Sequence, residues 1–362
     1  MLVHRVNVTD RKTSFGRNGI LYLGALREVF VLGSAICLVM VTLWQSKTLM
    51  NFPLTTEDQP SQSRLTPVLG LGIDRDQGTL LAHIWGGELS EFSLDTGAVI
   101  QQTGSPEIIC TVASERNSII ANLSEWADEG SIHHRVDICR RGEVVVSEEF
   151  GFDSQTSATV HLSADGQFAV AIMLDGLAIG WDLSCSPARR NEYNVGIINM
   201  ESSLSPDGRF LLVSSDQGTP YICDARTGGS KVSLIDLEGF CCCSEWSSDG
   251  KRVAIGNQLG EVMLFDARTG KKVWKQQLGF MFARSIALSS EGTHLAAGGF
   301  DHTIRIWNLA EPDRSATELT GQLGITRGLV FGPGDKTLVS ASSDGTIHEW
   351  SLITAQSIRK LR

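Results

Sequence analysis

Between residues 154 and 362 the apolar positions fall in short runs that recur at a fixed interval and are split by Gly-containing turns. Each interval holds an alternating segment, a turn such as LSPDG (Leu204 to Gly208), a small apolar run, a second turn, a run ending in an aromatic residue, and a Gly turn. The ladder Gly166, Gly208, Gly250 and Gly292 advances by 42 residues at each step, and so do Trp181-Asp182, Cys223-Asp224, Phe265-Asp266 and Trp307-Asn308. Runs of this length bounded by Asp-Gly turns predict four short strands per repeat. One four-stranded sheet cannot bury both faces alone, so a period near 42 predicts blades stacked around an axis. DARTG, at Asp224 to Gly228 and again at Asp266 to Gly270, suits a type I turn closed by Gly in the left-handed region.

The first 63 residues have a different pattern. Residues 29–44 (VFVLGSAICLVMVTLW) contain no charge. Sixteen residues make a helix of roughly 24 Å against about 30 Å of hydrocarbon, and extension to Met50 supplies the missing turns. Arg5, Arg11, Lys12, Arg17 and Arg27 precede the run, while Lys47, Glu57 and Asp58 follow it. The positive-inside rule then predicts a basic cytoplasmic tail over 1–28, a transmembrane anchor over 29–50 and the rest of the chain beyond the membrane. A cleaved signal peptide is the rival reading, although no small-x-small site follows the apolar run cleanly. Residues 51–63, with Pro53, Pro60, Thr, Gln and Ser, read as a polar linker to a domain over 64–362.

The chain carries 31 Lys and Arg against 41 Asp and Glu, a formal net charge of −10. Because the first 63 residues are themselves net basic, the repeat region is more acidic still, which argues against a general nucleic-acid surface. The eight cysteines include the run Cys241 to Cys243 and no C-x-x-C pair, so neither a zinc ribbon nor a disulfide scaffold is expected, only buried packing. Asp74, Asp76 and Gly78 have the opening spacing of a calcium loop without its downstream acidic ligand, and a plain turn is expected there. No metal site or cofactor is expected.

The segments LSADGQFAVAIMLDGLAIGWDL from Leu162, LSSEGTHLAAGGFDHTIRIWNL from Leu288 and FGPGDKTLVSASSDGTIHEWSL from Phe331 resemble the WD-repeat family. The resemblance covers five repeats over 154–362. Two weaker ones are placed over 64–153, anchored by Gly78 with Phe92 and by Asn117 with Ile138. It implies an all-β, seven-bladed β-propeller, here preceded by the single N-terminal transmembrane helix. The family's turn Asp, six residues before the closing Trp, matches Asp175 with Trp181, Asp301 with Trp307 and Asp344 with Trp350, and implies structural turn roles. The family's Gly-His partner is absent; Gln322 is the nearest match and is expected to donate to Asp344. The last repeat has its own outer strand at residues 357–361, so closure by a strand from the N-terminal side is not expected.

In WD-repeat proteins two positions, eight and ten residues before the turn Gly, face the upper rim where partners bind. Here they give Met200, Arg284 and Arg327, with Cys242, and Phe240, Phe282 and Ile325. Aromatic residues beside Arg are the types that dominate interface energy, although the same aromatics would also serve blade-to-blade packing. The interval from Asn117 to Gly166 stretches to 49 residues, and the surplus, LSEWADEGSIHHR, is expected as a solvated loop that brings Trp126, with His133 and His134, to the upper face.

No phosphate loop, H-E-x-x-H or G-x-S-x-G motif occurs, and no enzymatic activity, catalytic residue or small-molecule substrate is expected. LFDARTGKKVW (Leu264 to Trp274) also resembles quinoprotein and outer-membrane assembly propellers. Gln101 and Val232 stand where Trp274 would repeat, so a ring of docking tryptophans is missing. The expected function is a membrane-anchored WD-repeat scaffold that holds a protein or peptide partner on its upper face. The alternatives are a non-enzymatic periplasmic assembly-type propeller and a quinoprotein-like enzyme.

Overall fold

The computed structural model describes residues 66, 68–75, 77–84, 88–104, 108–128, 131–152, 158–196, 201–215, 218–279 and 282–362. The expected tail, anchor and linker over 1–63 lie outside the described residues. Among the described residues no helix is long and apolar enough to cross a membrane.

The described residues form seven antiparallel four-stranded sheets, each built from consecutive strands. The blades span 68–104, 108–152, 158–194, 201–233, 241–277, 283–319 and 326–360. Second strands such as Thr79–Ile84 and Phe168–Met173 are buried along their whole length, whereas the fourth strand Arg189–Asn194 is mostly exposed. A strand covered on both faces reads as a continuous apolar run, which is why the second strand of each repeat stands out in the sequence. The ladder glycines Gly166, Gly208, Gly250 and Gly292 have φ of 66°, 66°, 66° and 63°, the left-handed region of the tight turn. Asn117 and Asp335 take that place in blades 2 and 7, with φ of 68° and 53°. Both are residue types whose short polar side chains tolerate the conformation.

The turn aspartates are structural. Asp175 Oδ1 accepts from Leu177 N at 3.0 Å, Asp301 Oδ1 from Thr303 N at 3.3 Å and Asp344 Oδ1 from Thr346 N at 2.9 Å. Trp181, Trp307 and Trp350 are buried in the blade cores. Gln322 does not reach Asp344. Its Nε2 donates to Thr326 Oγ1 at 3.0 Å, its Oε1 accepts from Ser340 Oγ at 2.7 Å, and Ser340 Oγ accepts from Trp350 Nε1 at 2.8 Å. Both the donor and the acceptor of the amide are thus engaged inside the blade.

Each first strand touches the first strand of the next blade, and Val68–Asp74 of blade 1 touches Thr326–Phe331 of blade 7, so the ring is closed. Closure involves no exchanged strand, since Ser357–Lys360 pairs within blade 7 as its outer strand. The seam is held by arginines instead. Arg359 Nε donates to Glu349 Oε2 at 2.5 Å, its Nη1 to Asp95 O at 3.1 Å and its Nη2 to Leu94 O. Arg362 donates to Thr66 Oγ1 at 2.9 Å.

Apolar clusters bridge blades 2 to 3, 3 to 4, 4 to 5, 5 to 6, 6 to 7 and 7 to 1. The seam between blades 1 and 2 differs. It holds a cleft of about 370 Å³ lined by Gln77, Glu91 and Arg141 together with Leu81, Leu89 and Ile120, and His83 lies buried with Nε2 unpartnered. Burial lowers the His83 pKa, so this imidazole is held neutral.

Along the axis, Ser244 Oγ lies 3.1 Å from Glu201 Oε1 and 2.8 Å from Ser203 Oγ. Burial pushes the Glu201 carboxyl up to about 7, against the opposing pull of Ser244 and the Arg284 charge. Glu245 is open to solvent yet enclosed by protein, the combination a narrow wet channel produces. Enclosure, with the Glu115 and Glu201 charges, raises its carboxyl to about 8, and Arg75 opposes this. His161, beside Ser202 Oγ at 2.9 Å, is lowered to about 4 by burial.

Two expectations follow from the seam and the channel. Arg359→Ala leaves the buried Glu349 carboxylate without its cation and should lower unfolding free energy by about 3 kcal/mol, read from the urea midpoint. A loss below about 1 kcal/mol would assign closure to the apolar cluster alone. For the channel, a carboxyl with a raised folded pKa retains a proton that the unfolded chain releases. The contribution is therefore complete below the ordinary glutamate value of 4.5 and is lost as pH rises through 7 for Glu201 and 8 for Glu245. The lowered His161 opposes this slope only while the unfolded imidazole is still partly protonated, so its effect fades as pH rises past the ordinary value of 6.5, and it is the same in both chains. Thermal melts from pH 6.5 to 9 should show melting temperature falling more steeply in the native chain than in Glu245→Gln; parallel profiles would refute the raised value.

Candidate partner-binding rim

The rim is created by irregular register in the first strands. Pairing to the second strand skips one residue between Val68 and Gly70, Ile108 and Cys110, Cys241 and Cys243, Ala283 and Ser285, and Thr326 and Gly328. The bulged residues are Leu69, Ile109, Cys242, Arg284 and Arg327, all half-buried at corresponding positions near the start of the strand. A bulge leaves one residue outside the ladder and re-aims its side chain. The flanking residues Cys241, Cys243, Ala283 and Thr326 are buried between blades. Small residues are needed there: a Cβ on Gly298 would meet Thr326 Cβ at 2.7 Å. The Cys241 to Cys243 run is thus two packed thiols, Cys241 and Cys243, on either side of a bulge.

Arg284 and Arg327 are neighbours on blades 6 and 7. Arg284 Nη1 donates to Cys242 O of blade 5 at 3.3 Å, and its charge reaches Glu201 of blade 4. Arg327 is unlike it: its Nε is buried with no hydrogen-bond partner. Burial first, and the Arg284 charge second, lower its pKa.

Around these cations runs an apolar collar. Phe240 N donates to Gln258 Oε1 at 2.5 Å, Phe282 packs on Phe300 with ring centroids 5.6 Å apart, and Ile325 N donates to Ser343 Oγ at 2.9 Å. Phe240, Phe282, Phe300 and Ile325 are half-buried, so each both packs and presents surface. Phe282 also has φ of +21°, an uncommon backbone for an aromatic residue, held by the bond from Phe282 N to Gln258 O at 3.2 Å. Leu259 and Leu323, exposed by 45% and 83%, belong to the same face. Neither occupies a first-strand position, so the repeat spacing does not single them out. Their signal was an apolar residue in otherwise polar turn segments, Asn257 to Gly260 and Gly321 to Gly324. Met200 lies outside the described residues.

The surplus in blade 2 is a paired hairpin, which corrects the expected loop. Ile119–Asp128 pairs with Ser131–Arg140 without a break, from Ile119 opposite Arg140 to Asp128 opposite Ser131. Trp126 stacks on His133 at 5.5 Å, and the Arg135 guanidinium lies 5.6 Å from the indole. On the other side His134 is buried beside Glu125, at 3.4 Å. The two histidines therefore face apart, as alternation in a strand requires. Among the described residues no group of three His, Cys, Asp or Glu is placed to hold a metal ion. Trp274 packs edge-on against Trp307 at 5.6 Å and belongs to the core of blades 5 and 6.

Comparison with known proteins agrees with this geometry. The family described as "WD domain, G-beta repeat" matches residues 281–308 and 314–351. Apoptotic protease-activating factor 1 of Homo sapiens is 25% identical over 160 residues, 40% of this chain and 13% of that protein. Nuclear distribution protein nudF of Aspergillus niger is 27% identical over 210 residues, 56% of this chain and 40% of its own length. Nuclear distribution protein PAC1 of Coccidioides posadasii is 32% identical over 148 residues, 41% of this chain and 26% of its own. The matched region thus spans less than half of each of these relatives. With seven contiguous four-stranded blades, buried tryptophans closing the third strands and matched repeats in the last two blades, the chain is a WD-repeat β-propeller protein, of the kind typical of protein-interaction scaffolds.

Proposed function

We propose that this chain is a membrane-anchored, non-enzymatic WD-repeat platform that holds a protein or peptide partner on the upper rim of its propeller. Residues 29–50 are the anchor, the basic tail is cytoplasmic and the propeller is extracytoplasmic. The rim reading rests above all on Leu323, exposed by 83% beside half-buried Ile325. One exposed leucine has little meaning by itself. Here Leu259, Phe240, Phe282 and Phe300 extend it over consecutive blades and Arg284 and Arg327 adjoin it, which is the composition of an interface centre. Trp126 of the blade 2 hairpin lies at the same end of its blade as a second contact element. The anchor reading rests on the charge-free run and on the five basic residues before it.

The full chain, solubilised in mild detergent and immobilised, should retain a specific protein that the double variant Leu259→Asp, Leu323→Asp releases. Both side chains are solvent-facing, so the variant should keep the native melting temperature within a few degrees. Equal retention by both would move the partner off this rim, and no retention by either would end the platform reading. Orientation is tested separately by added protease on intact cells: cleavage of a tag at residue 2 with protection of one at residue 362 would reverse it.

A further inference from the structure

The uncompensated cation at the channel mouth specifies more than an apolar rim does. Arg327 Nε is buried without a hydrogen-bond partner, and the charge bearing on it is another guanidinium, that of Arg284. Arg327 is half-buried, and among the described residues no carboxylate charge bears on it; a partly desolvated cation in that state is destabilising, as at sites that a ligand completes. The bulges that re-aim these two arginines from blades 6 and 7 also re-aim Leu69 and Ile109 from blades 1 and 2, which follow blade 7 around the ring. The mouth is therefore basic on one arc and aliphatic on the next.

The geometry points to recognition of a free peptide C-terminus at this mouth: the carboxylate between Arg284 and Arg327, the aliphatic side chain of the same terminal residue on Leu69 and Ile109. This rests on the platform reading and names the chemistry of its partner. Two observations favour this occupant. A terminal residue carries its carboxylate and its side chain on one Cα, as a compact cationic and aliphatic mouth requires. The acidic repeat region repels polyanions and leaves this mouth as a local exception. Guanidinium is also the group best matched to a carboxylate, which it binds through two parallel hydrogen bonds.

The test uses the immobilised full chain and a synthetic octapeptide pool, randomised at every position, in two forms: free C-terminus and C-terminal amide. The free-acid pool should be retained with enrichment of Leu, Ile and Val at the last position, and amidation should reduce retention by at least about tenfold, the loss of one charge-assisted contact. Arg327→Gln should abolish that enrichment while leaving the melting temperature equal or higher, because it removes a half-buried cation whose Nε has no hydrogen bond. A structural arginine would behave in the opposite way, with a lower melting temperature and unchanged retention, and that result overturns the inference. So does equal retention of acid and amide pools, or enrichment of internal Asp or Glu in place of an aliphatic terminus. Capture of a partner that depends on Leu259 and Leu323 but not on Arg327 would leave the platform standing and remove only the C-terminal site.

Discussion

Everything in this domain depends on each sheet covering the face of the next. A four-stranded blade has two apolar faces and no second layer of its own, so no blade is stable until both neighbours are in place. The second strands carry the greatest load, because they are buried on both sides. The ring must then close between the first and last blades, where a strand exchanged from the other end of the chain would make closure a matter of backbone pairing. This chain closes by side chains: an apolar cluster joins Val339, Ala341 and Ile347 to Leu80, Ala82 and Ile84, and Arg359 ties blade 7 to the backbone of blade 1. The seam between blades 1 and 2, with its mixed polar and apolar cleft and a neutral buried His83, stands out against the six apolar ones.

The same packing generates the rim. First strands crowd the axis so closely that small residues are needed where they touch, and the extra residue of each bulge is accommodated at the mouth, where the ladder is free to break. The bulge turns what would be a buried ladder position into a half-exposed one. That is how residues as different as Leu69, Cys242 and Arg327 come to occupy equivalent places. The two arginines among them sit in a domain that is otherwise acidic, so the mouth is a half-buried, locally positive exception. Deeper along the axis the carboxyls of Glu201 and Glu245 have the opposite problem, and they meet it by holding their protons to higher pH.

The sequence by itself determined the fold class, the blade count and the lack of strand exchange, because a 42-residue period, Asp-Gly turns and a complete last repeat are local properties. The positions eight residues before the turn Gly were also legible, and they include the bulged Cys242, Arg284 and Arg327. Tertiary structure decided what a period cannot encode. Whether the blade 2 surplus pairs or loops depends on the register of Ile119–Asp128 against Ser131–Arg140. Gln322 bonds Thr326 and Ser340 rather than Asp344 because the blade interior offers it a donor and an acceptor at matching distances. Leu259 and Leu323 join the rim only when separate blades meet, and the isolation of Arg327 is visible only once every neighbour has been placed. Period and turn chemistry are written along the chain, whereas charge compensation and exposure are sums over residues that only the closed ring brings together.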